Sequence, residues 1–271
     1  MNNPTPPPLL TEPALGYQIN ALTGAARNAA RPLAGPLSAE ITAAFSASPR
    51  GEIAVRSIDV NIPLLEKNDI LAERNRGYFL GRGLAALNIV SSPGAGKTTL
   101  LERTLDDFGQ QTKCAVLVGD LETDNDGRRL SRPYAPVAQI TTGTVCHLDA
   151  SMIARAAQSI NLDGVKILFI ENVGNLVCPA SFDLGEQVRV VLLSTTEGED
   201  KPLKYPPIFK SAQLVLLTKI DVADVLGFHR QLAVENIRRI APTAKIIQLS
   251  TRTGEGLSEW YDYLRQLTSP V

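Results

Sequence analysis

The run Ser91-Ser92-Pro93-Gly94-Ala95-Gly96-Lys97-Thr98-Thr99 has residue types and spacing that could hold a chain of phosphates. It follows the P-loop pattern, with Ser91 standing where that pattern has its first glycine. An apolar run, Leu87-Asn88-Ile89-Val90, precedes it, and a helical pattern follows from Thr98 to Phe108. Gly94, Ala95 and Gly96 can turn backbone N–H groups inward around phosphate oxygens, and a helix N-terminus adds a favourable dipole. Lys97 is placed to reach the β and γ phosphates and the Thr98 hydroxyl to bind Mg²⁺, while Thr99 is expected to contact the nucleotide. An ordinary glycine-rich turn would account for the glycines but not for Lys-Thr at that offset.

A P-loop does not choose the base. Thr218-Lys219-Ile220-Asp221 follows a strand pattern over Gln213–Leu217, where GTPases carry (N/T)KxD. There an aspartate such as Asp221 accepts from the N1–H and exocyclic amine of guanine, and the stem of Lys219 covers the ring. The next strand pattern ends at Leu249-Ser250, the place of a second base-contacting loop. Upstream, Glu171-Asn172-Val173-Gly174 resembles a switch whose glycine N–H senses the γ phosphate. All three motifs fall at strand ends, where open α/β sheets bind ligands, so a GTPase is the expected class. Further carboxylates come from Asp120, Glu122, Asp124 and Asp126. Asp120 is the expected holder of Mg²⁺ or its waters. Asp126 is the candidate for positioning the attacking water, against the plainer role of opening a helix that carries Arg128 and Arg129.

Two thiols and an imidazole form the second candidate site. Cys146-His147 lies just before a helical pattern that Asp149 is suited to cap, and Cys178 follows Gly174 by four residues. Such a donor set suits Ni²⁺ or Zn²⁺. A tetrahedral site needs one more ligand, from water, the Cys146 or His147 backbone, or a second subunit. Spacing alone is not of the CxxC kind, and buried structural cysteines are common. Position adds weight, because a ligand just beyond Gly174 would feel loss of the γ phosphate. Cys114, ahead of a buried strand, and His229, in a helical stretch, read as structural.

These motifs require elements to hold them. Further strand patterns cover Ala115–Gly119, Val137–Thr141, Lys166–Ile170, Val188–Ser194 and Lys245–Leu249. Helical patterns begin at Pro63 and cover Asp149–Ser159, Val222–Arg239 and Leu257–Leu267. Apolar strands alternating with helices predict an α/β fold, a mostly parallel sheet flanked by helices. Glu197–Phe209, with three prolines and many charges, is expected to be a surface loop. Residues 1–50 hold eight of the 18 prolines and only five charged residues, which predicts a disordered Pro/Ala-rich tail ahead of one GTPase domain over 51–271.

Composition narrows the classes. With 27 Lys+Arg against 28 Asp+Glu in 271 residues, the formal net charge of −1 argues against nucleic-acid or membrane-surface partners. No apolar run is long enough to cross a bilayer, and no signal peptide is evident. Three cysteines make no disulfide framework, so a reducing cytoplasm is the expected compartment.

Taken together with Gly119-Asp120, Cys146-His147-Leu148-Asp149-Ala150, Glu171 through Cys178-Pro179 and Thr253-Gly254-Glu255-Gly256-Leu257, these motifs resemble the HypB family, the hydrogenase nickel incorporation GTPases, over residues 55–268. The urease accessory GTPase is similar, but its Cys-Pro-His pattern is absent. The resemblance implies a P-loop NTPase of the class that includes signal-recognition and nitrogenase iron proteins, which pair as homodimers across the nucleotide face when GTP is bound. It implies Cys146, His147 and Cys178 as Ni²⁺ or Zn²⁺ ligands near that interface, a HypA-type nickel metallochaperone as partner, and the hydrogenase large subunit as indirect recipient. No Cys or His precedes Cys114, so the extra N-terminal nickel site of many relatives is not carried over. Two readings compete: a metal-binding adaptor in which hydrolysis is incidental, and an ATP-dependent kinase of a small substrate.

Overall fold

A computed structural model describes residues 61–121 and 125–268. The Pro/Ala-rich segment 1–50 lies outside the described residues, as do Glu122 and Asp124 of the acidic turn.

Seven strands form the sheet: β1 (Ala85–Ser91), β2 (Cys114–Asp120), β3 (Val137–Thr141), β4 (Ile167–Glu171), β5 (Val188–Ser194), β6 (Leu214–Thr218) and β7 (Lys245–Gln248). Their order is β3-β2-β4-β1-β5-β6-β7, and every adjacent pair is parallel. Central strands β1, β4, β5 and β6 are buried along their whole length, which is why they read as unbroken apolar runs rather than alternating ones. From β1 the chain builds one half of the sheet, then crosses back to build the other beyond β5. This reversal of strand order opens a crevice at the carboxyl ends, the usual ligand position in such sheets.

Helices cover both faces. On one face, α2 (Lys97–Asp107) and α8 (Leu257–Thr268) bury Leu100, Leu105, Trp260 and Leu264 against β1, β4 and β5. The Trp260 indole N–H donates to Thr104 Oγ1 at 2.9 Å, so a fully buried polar handle is satisfied. On the other face, α1 (Asn61–Gly81) and α4 (Ala150–Gln158) pack Phe79, Leu148 and Ile153 into one cluster. A second cluster there gathers Ile208, Phe209 and Ile237. The Asp149 carboxylate accepts from Met152 N at 2.7 Å and caps α4, as its position in the sequence predicts.

Three expectations are corrected. Glu197–Phe209 is not a simple surface loop: it contains α5 (Lys201–Lys204) and α6 (Pro206–Lys210), and Ile208 and Phe209 are fully buried. Its prolines sit in the first helical turns, where a missing N–H costs nothing. The helix expected from Val222 starts later, as α7 (Arg230–Ile240), after a 3₁₀ turn at Ile220–Val222 and a left-handed Gly227. His229 accordingly precedes that helix instead of lying within it, and its backbone N–H donates to Glu199 at 2.7 Å. The short α3 (Asn125–Leu130) follows the acidic turn.

Candidate nucleotide and metal sites

Gly94 and Gly96 take φ of 75° and 99°, the left-handed conformations that curl the loop between β1 and α2. The carbonyls of Gly94 and Ala95 are held from the carboxyl end of β6. Thr218 Oγ1 donates to Ala95 O at 2.9 Å, and Lys219 Nζ donates to Gly94 O at 2.7 Å. Lys219 is the one non-glycine residue with positive φ among the described residues (58°), a conformation that aims its side chain back over the loop.

Lys97 is buried and donates to Ser91 Oγ at 3.0 Å, so the serine standing at the usual glycine position gives the ammonium a partner. Burial lowers the Lys97 pKa, opposed by the charges of Glu171, Asp126 and Asp120. Thr98 Oγ1 donates to Glu171 Oε1 at 2.6 Å. The other Glu171 oxygen is buried without a hydrogen-bond partner, and burial raises this carboxyl to about 7, opposed by Lys97 and the Thr98 hydroxyl. An orphaned carboxylate oxygen next to the P-loop threonine fits the donor set of a Mg²⁺ site. Glu171 therefore does more than open the switch motif: it is the carboxylate that touches Thr98, a contact the sequence reading did not anticipate.

A cleft of about 440 Å³ gathers Gly94, Gly96, Lys97, Thr98, Thr99, Asp120, Asp126, Glu171, Gly174 and Lys219. Asp126 lies in the first turn of α3 and lines this cleft, 3.7 Å from Arg129 Nη1. Arg129 also lines the cleft and reaches Thr99 Oγ1 at 3.4 Å. Farther along the same edge, the Asp221 carboxylate is held below the usual range by a hydrogen bond to the Ser250 side chain and by Arg252, whose Nε lies 2.8 Å away. Asp221, Ser250 and Lys219 lie together at this edge; Arg252, an exposed arginine between Ser250 and the Thr253–Leu257 motif, belongs to neither and was not legible.

The second constellation lies beside the first. One ligand atom each from Cys146, His147 and Cys178 falls within 4.8 Å of the others, and the two sulfurs are 2.9 Å apart. His147 stacks on Phe182 with ring centroids 3.9 Å apart. Its Nδ1 is buried with no hydrogen-bond partner, and burial lowers its pKa, favouring the neutral, ligating imidazole. Two thiols, an unpartnered ring nitrogen and this spacing fit a soft or borderline divalent ion. Cys178 begins a 3₁₀ turn, Cys178–Ser181. Asn175, between the switch and that turn, donates to Cys146 O at 3.2 Å and accepts from Val177 N at 2.9 Å, joining the two ligand-bearing segments. Cys114 is buried at the start of β2, away from this group.

A parallel sheet with a phosphate-type loop after its central strand, and base-reading and switch motifs at neighbouring strand ends, defines a P-loop nucleotide-binding protein of the GTPase kind. The family model described as the CobW/HypB/UreG nucleotide-binding domain matches residues 85–248. Hydrogenase maturation factor HypB of Escherichia coli (strain K12) is 51% identical over 209 residues, covering 77% of this chain and 72% of that protein. The solved structure of hydrogenase maturation factor HypB from Archaeoglobus fulgidus is similar at a TM-score of 0.71 and 40% identity, over 75% of this chain and all of that one. HypB from Helicobacter pylori, solved in complex with nickel, gives the same TM-score of 0.71 at 40% identity, over 74% and 95% of the two chains. The chain belongs to the HypB family of hydrogenase maturation factors. Among the described residues, no helix is long and apolar enough to cross a membrane.

Proposed function

We propose that this protein is a GTP-hydrolysing metallochaperone that binds nickel, or zinc, and supports nickel insertion into nickel–iron hydrogenase. The observation carrying this reading is the adjacency of the two sites: Cys178 lies four residues beyond Gly174, on the segment that begins at the Thr98-bonded Glu171. Gly94, Ala95, Gly96, Thr99 and the α2 N-terminus hold the phosphates, and Lys97 reaches the β and γ oxygens. Thr98, with Asp120 and Glu171, would hold Mg²⁺, which would neutralise charge on those oxygens. Asp221, with Ser250 and Lys219, selects guanine, and Asp126 orients the attacking water.

GTP orders Glu171–Gly174, favours a homodimer across the nucleotide face, and sets Cys178 beside Cys146 and His147. Loss of the γ phosphate releases that segment and lowers metal affinity, which permits transfer. A HypA-type metallochaperone is the partner in that exchange, and the hydrogenase large subunit the eventual recipient. The solved complex of a relative with nickel supports nickel as cargo.

The test is a Ni²⁺ titration of wild type and Cys178→Ala, each with GDP and with a non-hydrolysable GTP analogue. Wild type is expected to bind more tightly with the analogue, and the variant to bind weakly in both. Equal affinity in the two nucleotide states of wild type would refute the switch. Nickel delivery by an Asp126→Ala protein that binds GTP without hydrolysing it would favour the adaptor reading instead.

A further inference from the structure

Asn172 follows Glu171 directly, is 2% exposed, and bonds through both ends of its side-chain amide. Its Oδ1 accepts from two backbone groups: Val173 N at 2.9 Å, in the switch segment, and Leu148 N at 3.3 Å, the residue after His147. Its Nδ2 donates to Asn88 Oδ1 at 3.2 Å, in the middle of β1. Asn88, with no exposed surface, in turn donates its Nδ2 to Glu186 Oε1 at 3.1 Å. The Glu186 carboxylate is paired with the Arg189 guanidinium at 2.7 Å. An ionised carboxylate only accepts hydrogen bonds, so Asn88 must turn its NH₂ to Glu186 and its oxygen to Asn172. That choice leaves Asn172 only its own oxygen to offer to Val173 and Leu148. The chain of amides therefore has one direction, set by a buried ion pair, and the Asn172 oxygen is fixed as a double acceptor.

Resting on the switch reading above, we infer that Asn172 is the positioning residue that couples the nucleotide site to the metal site. One oxygen atom ties the switch backbone to the loop carrying Cys146 and His147, so displacement of Val173–Gly174 pulls on Leu148. The second ligand arm is anchored at the far end of the same chain. Arg189 Nη2 donates to Phe182 O at 2.9 Å, and Phe182 is the ring on which His147 stacks. Asn172 touches neither nucleotide nor metal; it acts through the segments that do. By linkage, losing such a residue must change the effect of nucleotide on metal affinity and the effect of metal on nucleotide affinity by the same factor.

The experiment measures Ni²⁺ affinity of wild type, Asn172→Ala and Asn88→Ala, each with GDP and with a non-hydrolysable GTP analogue, and then the reciprocal effect of Ni²⁺ on analogue affinity. Wild type is expected to show a ratio on the order of tenfold. Asn172→Ala is expected to bring both ratios to within about twofold of unity while still binding each ligand. Asn88→Ala empties a comparable buried polar site but leaves the Leu148 and Val173 N–H groups, which can only donate and so still hold the Asn172 oxygen; it is expected to retain most of the coupling. A wild-type ratio near one refutes the switch itself. A wild-type ratio that survives in Asn172→Ala, or is lost equally in both variants, overturns the assignment of Asn172 alone. Should Asn172→Ala not fold, Asn172→Ser is read in the same way; failure of both to fold makes Asn172 a structural group and overturns the inference.

Discussion

Gly174 packs directly on Pro93 of the phosphate loop: a Cβ built on Gly174 would stand 3.1 Å from the Pro93 Cα and 3.2 Å from its Cγ. The switch and the loop thus meet at a point with no spare volume, and a side chain there must push them a few tenths of an ångström apart. Gly174→Ala is expected to weaken binding of a GTP analogue roughly tenfold, about 1.4 kcal/mol, and to leave GDP binding within about twofold. Calorimetric titration with both nucleotides checks this.

Ser250 and Arg252 both engage the Asp221 carboxylate, at the edge where guanine is proposed to bind. Asp221→Ala removes an acceptor for guanine N–H donors and is expected to reduce the preference for GTP over ATP on the order of 100-fold, about 3 kcal/mol. Competition binding gives the ratio. Retained selectivity would mean that the base is read elsewhere.

Burial lifts the Glu171 carboxyl from its ordinary 4.5 to about 7. An acid whose folded pKa is raised holds its proton longer in the folded state, so its contribution to stability is full below pH 4.5 and lost as pH rises through 7. Nucleotide-free wild type, with divalent metal chelated, should therefore lose about 3 kcal/mol relative to Glu171→Gln over that window. Urea unfolding of both proteins at pH 5 and pH 7.5 measures the difference, and parallel curves would refute it.

The Arg189–Glu186 pair is buried at both ends, with 8% and 6% of the side chains exposed. Arg189→Met strands a buried carboxylate and is expected to cost about 3–5 kcal/mol. The double variant Arg189→Met/Glu186→Gln should recover part of that loss. Chemical denaturation of the three proteins provides the numbers.

How much of this was legible in the sequence depends on the kind of residue. Strands β1, β4, β5 and β6 stand out because burial on both faces leaves continuous apolar runs. Phosphate and base motifs stand out because their spacing is local. The proline-rich stretch misleads because Pro202, Pro206 and Pro207 read as breakers, yet each lies where a helix begins and tolerates proline. Val222 and Ala223 continue an apolar pattern into a turn, so α7 seemed to start early. Asn88 and Asn172 are silent in a pattern, because a buried amide looks like a surface one until its partner, 84 residues away, is seen. The pairing of Thr98 with Glu171 is equally non-local, joining residues 73 apart.

Asn88 sits in β1, the middle strand of the sheet, flanked by β4 and β5 along its length. Central strands are the last to open in native-state hydrogen exchange, whereas loops at strand ends open readily. Amide protons of β1 should therefore be among the slowest to exchange, while those of the ligand-bearing loops exchange fast. On the proposed switch, the two loops that would grip and release the metal are tied to one buried line of amides whose middle lies in the slowest-exchanging strand.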